Sequence, residues 1–556
     1  MIEAIRNILR YSKAIVALSS VASLVSGACN VQLVAMVGAA INAMPNIPPG
    51  YGAKFGGLLL LTFALNVLAQ LLSVHLMATV AARIRMQLSR AILDSPLRSL
   101  EEIGSHKMLA ALTQDADSIA QAALEVSQFV TNATIIVCCL AYLAYVSLPI
   151  FLVVILMLPL SVGIYLGVEL VVVRYQSLER ESWDQLMKHF QTLINGIKEL
   201  KMNRKRRVFF FMRRLLETSD LLQRYRVRRV GTYIAIVNWS NLLCFAAIGV
   251  IIFILPRIAP LSHGALVGPA LVALFLRIPF GSLFDALKEF NRASVALDRL
   301  RIMGLPWQEC DLSINDKPTK VEQWRSIELI DVAHVYHSED ESGRFTLGPI
   351  RMTITPGRIL FITGGNGSGK TTLAKLIVGL YKAESGVIEV DGVPVDDDFR
   401  DEYRQRFSAI FSEYALFEEV GDGSPESDEA VYQYLRLLRL DRKVQIRGGA
   451  FSTTELSAGQ RRRLALVHAY LEDRPVYLFD EWAADQDTSF KEIFYCKLLP
   501  DLRARGKAVI IISHDDRYYH IADEVIRLEN GKAVAVTPEP ATDVPSALSQ
   551  QFSVRQ

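Results

Sequence analysis

A short strand-like run, Phe361-Ile362-Thr363, opens onto Gly364-Gly365-Asn366-Gly367-Ser368-Gly369-Lys370-Thr371-Thr372. This is G-x-x-x-x-G-K-[ST] in a strand–loop–helix setting. Its glycines let successive backbone N–H groups wrap phosphate oxygens. Lys370 is spaced to reach the β and γ oxygens, and Thr371 offers a hydroxyl to Mg²⁺. The helix N-terminus that begins there adds a field favourable to anions. ATP and Mg²⁺ are the ligands this stretch predicts.

Further along, Val476-Tyr477-Leu478-Phe479 is an apolar strand that ends in Asp480-Glu481. Asp480 suits a second Mg²⁺ ligand. Glu481 is placed to orient or deprotonate the water that attacks a γ-phosphate. Leu456-Ser457-Ala458-Gly459-Gln460 lies ahead of that carboxylate pair, and Ile511-Ile512-Ser513-His514 follows it. From about 326 the chain alternates short strands and helices, an α/β pattern.

The first half has a different character. Overall 51% of residues are hydrophobic, 21% are charged, and the mean hydropathy is +0.25. Such a composition excludes a disordered chain, a nucleic-acid-binding scaffold and a small disulfide-stapled domain. A net charge of +2 is too small to imply an acidic partner. The six cysteines, at 29, 138, 139, 244, 310 and 496, show no CxxC spacing and read as free thiols. Residues 14–53, 55–82, 126–168, 230–256 and 258–276 contain no Asp, Glu, Lys or Arg. A membrane span needs about 20 apolar residues, so 126–168 holds two, broken at Ser147-Leu148-Pro149. Six spans are predicted, near 14–42, 55–82, 124–146, 149–173, 230–255 and 262–284. The segment 174–229 carries fifteen Lys and Arg, whereas the loops on the other side carry only Lys54 and Arg257. That asymmetry predicts cytosolic N- and C-termini. Ile84, Leu88, Ile92 and Leu186, Phe190, Leu193, Ile197 keep helical spacing, so the inner segments read as helical extensions of the spans.

A signature L-S-x-G-Q between the phosphate loop and the Asp-Glu strand, with a histidine after the next strand, resembles the ABC-type ATPases. Six spans ahead of such a domain resemble the half-transporter ABC exporters. The resemblance implies a homodimer in which Ser457, Ala458, Gly459 and Gln460 of one copy close on ATP held by the other. It further implies that His514 bonds the γ-phosphate, that Tyr336 stacks on adenine, and that Gly196-Ile197-Lys198-Glu199-Leu200-Lys201 docks on the ATPase domain, although its charges alone read as a solvated face. Three stretches depart from the common pattern. Phe411-Ser412-Glu413-Tyr414 puts a carboxylate where a Mg²⁺-touching glutamine is usual, so Glu413 is a candidate metal ligand. Trp482-Ala483-Ala484-Asp485-Gln486-Asp487 replaces ATSALD, and residues 447–454 lack the TxVGExG loop. With Asn238-Trp239-Ser240-Asn241, these resemble the branch exporting cyclic peptides and siderophore precursors, such as pyoverdine precursor, syringomycin and lasso-peptide microcins.

Polar groups inside spans are costly and therefore informative. Helix rise puts Asn238 and Asn241 about 12 and 16 Å from the inner side, and Arg277 about 20 Å from the outer side. In a core about 30 Å thick, Arg277 and Asn238 lie at similar depth. They form a candidate cargo patch; the alternative is interhelical bonding, or an arginine held by a carbonyl near Pro279. Glu169 and His75 read as interfacial, and Asn30 and Gln32 as outer-half lining or packing. The chain is thus expected to be a six-span all-α membrane domain (1–303), a linker (304–325), an α/β P-loop ATPase domain (326–533) and a disordered tail (534–556). Its expected activity is ATP-driven export of a peptide-derived metabolite or siderophore precursor across a bacterial inner membrane, with no nucleic-acid partner. The rivals are a lipid or multidrug flippase and a membrane-anchored regulatory ATPase.

Overall fold

The structure, a computed structural model, describes residues 13–42, 47–258, 263–305, 324–336, 345–420 and 424–536. The chain divides into two compact units. One comprises Met1–Asp94 with Ile103–Leu312, the other Ser95–Glu102 with Ser313–Gln556. The expected linker lies mostly outside the described residues, and so do residues 537–556 of the expected tail.

The first unit is helical. Its long helices are α1 (Lys13–Asn42), α2 (Tyr51–Asp94), α3 (Ala116–Val146), α4 (Leu148–Asn195), α5 (Glu217–Gly249), α6 (His263–Phe275) and α7 (Arg277–Ile302). Five helices among the described residues are long and apolar enough to cross a membrane; α4 begins with a shorter apolar run, Leu148–Met157. Helices suit lipid because they satisfy every backbone polar group internally. Ser147 breaks the chain between α3 and α4 in an extended conformation (φ −159°, ψ 105°), and Pro149 follows where a missing N–H costs nothing. The inner extensions are helical as expected: α2 runs 44 residues and α4 runs 48. At about 1.5 Å per residue both are far longer than a bilayer core.

The buried face of α2, at Ala69, Ser73, Leu76, Val80, Ile84, Leu88 and Ala91, repeats every three to four residues. Leu60, Phe63 and Leu71 face outward, as suits hydrocarbon. Between helices, small residues and hydroxyls make close contacts beside an apolar cluster that includes Ile135, Leu143, Ile150 and Val272. Ser26 Oγ donates to Asn66 Oδ1 at 2.7 Å, and Ser73 Oγ to Ser127 Oγ at 2.5 Å. Gly38 on α1 meets Gly268 on α6 backbone to backbone; a Cβ at 38 would stand 2.9 Å from the Gly268 Cα. The sixth expected span lies on one helical course, Val267–Ile302, along which α6 passes into α7. It turns at Leu276, three residues before Pro279, whose absent N–H leaves the Phe275 carbonyl without its i+4 donor.

The second unit is α/β. Its strands are β1 (Ile327–Tyr336), β2 (Phe345–Ile354), β3 (Ile359–Gly364), β4 (Ser385–Val390), β5 (Phe407–Ile410), β6 (Val476–Asp480), β7 (Ala508–Ile512), β8 (Glu524–Glu529) and β9 (Lys532–Val536). One sheet has the order β9-β8-β3-β7-β6-β5, parallel except at β9. The other pairs β1 with β2 and β4, antiparallel. β6 and β7 are buried at every position, which is why they read as unbroken apolar runs. Side chains alternate between two cores. Phe361, Tyr477, Phe479 and Ile511 enter one, and Leu360, Ile362, Leu478 and Ile510 the other. β9 reaches Val536, so residues 534–536 are strand and the expected tail boundary is corrected to beyond them: pairing with β8 satisfies their backbone groups.

The Gly38–Gly268 contact makes a stability prediction. Gly38→Leu must push α1 from α6, and overpacking of this kind costs about 1–3 kcal/mol. Its thermal unfolding midpoint in nanodiscs should fall by several degrees. Gly57→Leu, at a site with open space around it, should leave the midpoint unmoved.

Candidate functional site

β3, β6 and β7 end at the same edge of the parallel sheet, in register: Ile362 beside Ile512, and Ile512 beside Asp480. The residues just past those ends therefore meet. After β3 the chain turns through Gly364–Gly369 into helix α8 (Lys370–Ile377). Gly369 adopts φ +97°, a left-handed conformation, and a Cβ there would lie 2.9 Å from Leu347. At Gly364 a Cβ would run into the Leu528 carbonyl and the Ser368 hydroxyl.

Lys370 is buried, and its ammonium donates to the carbonyls of Gly364 (3.0 Å) and Gly365 (2.9 Å). Burial pushes its pKa down, while Glu481 and Asp480 pull it back up. Ser368 Oγ is buried with no hydrogen-bond partner, while Gly365, Asn366 and Gly367 are exposed. A loop with an unspent buried hydroxyl, a cation and an open rim fits an oligophosphate. Thr371 Oγ1 donates to Asp480 Oδ2 at 3.1 Å, and Thr372 follows on the same turn of α8. Burial raises the Asp480 pKa, opposed by the Thr371 hydroxyl, the Ser412 backbone N–H and Lys370. A buried carboxylate beside a threonine hydroxyl fits a Mg²⁺ site.

Glu481 sits at φ +51°, a conformation that costs a non-glycine residue about 1–3 kcal/mol and is held by its surroundings. Its N–H donates to the Ile512 carbonyl (3.0 Å), and its own carbonyl accepts from Arg462 Nη1 (2.5 Å). The turn aims its carboxylate at His514, with Nε2 and Oε1 3.3 Å apart. Glu481, Ser513, His514, Lys491 and Arg517 line an adjoining cleft of about 340 Å³. Glu413 is exposed in the loop after β5, next to Ser412. Tyr336 ends β1 in register with Phe345; its ring lies outside the described residues.

Ser457 stands at the N-cap of helix α9 (Ala458–Glu472), and its N–H is held by the Gln460 side chain at 3.4 Å. The glutamine of L-S-x-G-Q thus serves the helix start. Among the described residues no hydrogen bond or ion pair joins 457–460 to the phosphate loop. Instead, α9 is clamped to the turn after Glu481. Gln486 is buried; its Nε2 donates to the Gly459 carbonyl, and its Oε1 accepts from Arg463 Nε, both at 2.9 Å. Trp482 Nε1 donates to the Arg462 carbonyl at 2.8 Å, and the indole stacks on Phe494. Arg462 also pairs with Asp485 at 3.1 Å. A Cβ on Gly459 would lie 2.9 Å from the Asp485 carbonyl, so the glycine permits this approach. Sequence reasoning missed Arg462, Arg463 and Gln486. The departure from ATSALD was the available signal.

Within the second unit, Glu101 pairs with Lys375 of α8 at 2.7 Å and with the Tyr381 hydroxyl, and Arg98 pairs with Glu384 at 2.7 Å. In the first unit, Arg277 Nε donates to Asn241 Oδ1 at 2.6 Å, whereas Asn238 Nδ2 donates to its own helix at Ile234 (2.9 Å). His75 is exposed, and Asn30 bonds the Ser26 carbonyl. The side chain of Glu169 lies outside the described residues.

Residues 16–257 match the family "ABC transporter transmembrane region", and 347–484 match the family "ABC transporter". The chain is 36% identical over 478 residues to ATP-binding protein SyrD of Pseudomonas syringae pv. syringae, covering 84% of each. It is 24% identical over 510 residues to the ATP-dependent lipid A-core flippase of Bordetella pertussis, covering 87% of this chain and 79% of the relative. The flippase of Burkholderia thailandensis is also 24% identical, over 84% of this chain and 80% of the relative.

Gln486→Leu should strand the Gly459 carbonyl and Arg463 Nε, a loss of about 1–3 kcal/mol in the clamp. ATPase turnover should fall several-fold while affinity for a fluorescent ATP analogue at the phosphate loop stays within twofold. Unchanged turnover would show that the clamp has no bearing on the site.

Proposed function

The chain belongs to the ABC transporters, a multi-pass membrane protein with transmembrane region and ATPase domain on one polypeptide, and we propose that it acts as a homodimer exporting a peptide-derived cargo at the expense of ATP. One observation carries the dimer. Lys370, Asp480, Glu481 and His514 gather at one sheet edge, whereas Ser457–Gln460 serves none of them within its own chain. A second copy supplies the missing half.

In this reading, Lys370 and the backbone N–H groups of 364–372 hold the phosphates, and Tyr336 holds the adenine. Thr371 and Asp480 bind Mg²⁺, with Glu413 as a further ligand, direct or through water. The metal, when bound, supplies positive charge to the phosphate oxygens. Glu481 takes the proton of the attacking water. His514, in contact with the Glu481 carboxylate, keeps it aimed and donates to the γ-phosphate. Ser457, Ala458, Gly459 and Gln460 of the partner bring the N-terminus of α9 to the same ATP, which suits its negative charge.

Binding of ATP to a closed pair and its hydrolysis bias two global states, and that difference drives alternating access. Segments 94–104 and 192–203 carry the motion. The Glu101–Lys375 pair supports the first assignment, since Lys375 lies on the helix that begins at the phosphate loop. Lys and Arg asymmetry favours cytosolic termini in a bacterial inner membrane. Asn238, Asn241 and Arg277 face the cargo. The relation to SyrD and the branch-specific motifs favour a peptide metabolite or siderophore precursor. The flippase relatives, at lower identity, favour lipid as the second reading.

Mixed dimers test the shared site. Lys370→Ala in one copy with Ser457→Arg in the other should spoil one composite site and spare the second, leaving vanadate-trapped nucleotide near half. Both changes in one copy should spoil both sites and nearly abolish trapping. Equal trapping in the two arrangements would contradict the shared site.

A further inference from the structure

Two polar bridges join α5 to α7. Arg277 Nε donates to Asn241 Oδ1 at 2.6 Å, and Tyr233 Oη donates to Asp285 Oδ1 at 3.1 Å. The partners run in opposite order, 241 with 277 and 233 with 285, as antiparallel helices require. Eight residues separate the bridges on each helix, about 12 Å of rise. The register of α5 against α7 is therefore pinned at two depths by side-chain hydrogen bonds.

The two bridges differ in charge. Asp285 meets a phenol, and the Lys288 ammonium lies over that same phenol ring, 5.5 Å from its centre. Arg277 meets only a neutral amide. Among the described residues no carboxylate lies within ion-pair distance of it, and no acceptor meets its Nη1 or Nη2. Its side chain is exposed, and so is that of Asn238, one turn along α5 on the same face as Asn241. A guanidinium cannot shed its charge, and hydrocarbon is a costly place to leave it. Water or a ligand of opposite charge at that edge would satisfy it.

The contact through Nε also sets orientation. Asn241 holds the guanidinium by one edge, so the Nη1/Nη2 edge is presented as a fixed pair of parallel donors. That edge matches two oxygens of an anion. Arg277 is the first residue of α7, just past the turn at Leu276, so an anion seated there would lie beside that turn in the sixth span.

We propose that the Nη1/Nη2 edge of Arg277, oriented by Asn241, binds a carboxylate of the exported cargo, and so selects acidic peptide-like molecules. This rests on the export reading above and adds the chemical class of the cargo. A lipid phosphate offers the same pair of oxygens, and the test separates the two sources. Full-length protein in phosphatidylcholine nanodiscs is titrated with N-dodecanoyl-glycylglycine and with its methyl ester. The acid should bind the parent at least about tenfold more tightly than the ester, the worth of one charge-assisted pair. That preference should fall below about threefold in Arg277→Gln and lie in between for Arg277→Lys, which keeps the charge and loses the fork. Asn241→Ala, which keeps the charge and loses its orientation, should also weaken the preference, and it serves if Arg277→Gln does not fold. Phosphatidic acid at equal concentration should not displace the bound acid. Equal affinity of the parent for acid and ester, a full preference surviving in Arg277→Gln, or displacement by phosphatidic acid would each overturn the proposal. Followed separately in inside-out proteoliposomes, such a failure would leave ATP-driven uptake of the ester intact. A failure of the export reading would abolish uptake of both probes.

Discussion

Strands that run parallel and in register must end together, and the chemistry of this molecule depends on that constraint. β3, β6 and β7 finish at one edge, so the phosphate loop, the Asp480–Glu481 pair and His514 converge although they are scattered over some 150 positions of sequence. Burial of both faces makes the strands rigid. Rigidity in turn lets the edge hold what would otherwise relax: a left-handed Glu481, a lysine folded among carbonyls and a serine hydroxyl with no partner.

The helical unit obeys a different constraint. Apolar surface is plentiful there and buys no association in lipid, so specificity rests on small residues and scarce polar contacts. Gly38 against Gly268, Ser73 with Ser127 and Ser26 with Asn66 are contacts of that kind. The bridges from α5 to α7 are chemically similar but differ in consequence. A serine pair is satisfied by its partner, whereas among the described residues Arg277 keeps donors in reserve.

The ATPase edge was legible because each of its motifs sits at a strand end, where spacing along the chain translates directly into position. The break at Ser147 was legible for a similar reason: 43 uncharged residues exceed one span, and a proline marks the place. The clamp on α9 was not. Arg462 reads as one of three arginines on a helix surface, and only the fold shows that it meets the main-chain carbonyls of Glu481 and Trp482. Hydrogen bonds to backbone carry no trace in residue type at the accepting end. Arg277 was singled out by cost in the membrane, but its partner required the register of α5 and α7. Of the two asparagines at comparable depth, Asn241 bridges and Asn238 bonds its own helix.

Coupling of the Glu481 edge to movement of cargo is the central claim. It is tested most directly with inside-out proteoliposomes, by following accumulation of a fluorescent acyl-dipeptide in the presence of Mg²⁺ and ATP. Accumulation should require ATP, and Glu481→Gln should lower both uptake and ATP turnover by about 10²–10⁴-fold, the usual loss for one positioned acid–base group. Robust ATP turnover by the parent protein with no accumulation of any peptide or lipid probe would contradict export and leave a membrane-anchored regulatory ATPase in its place.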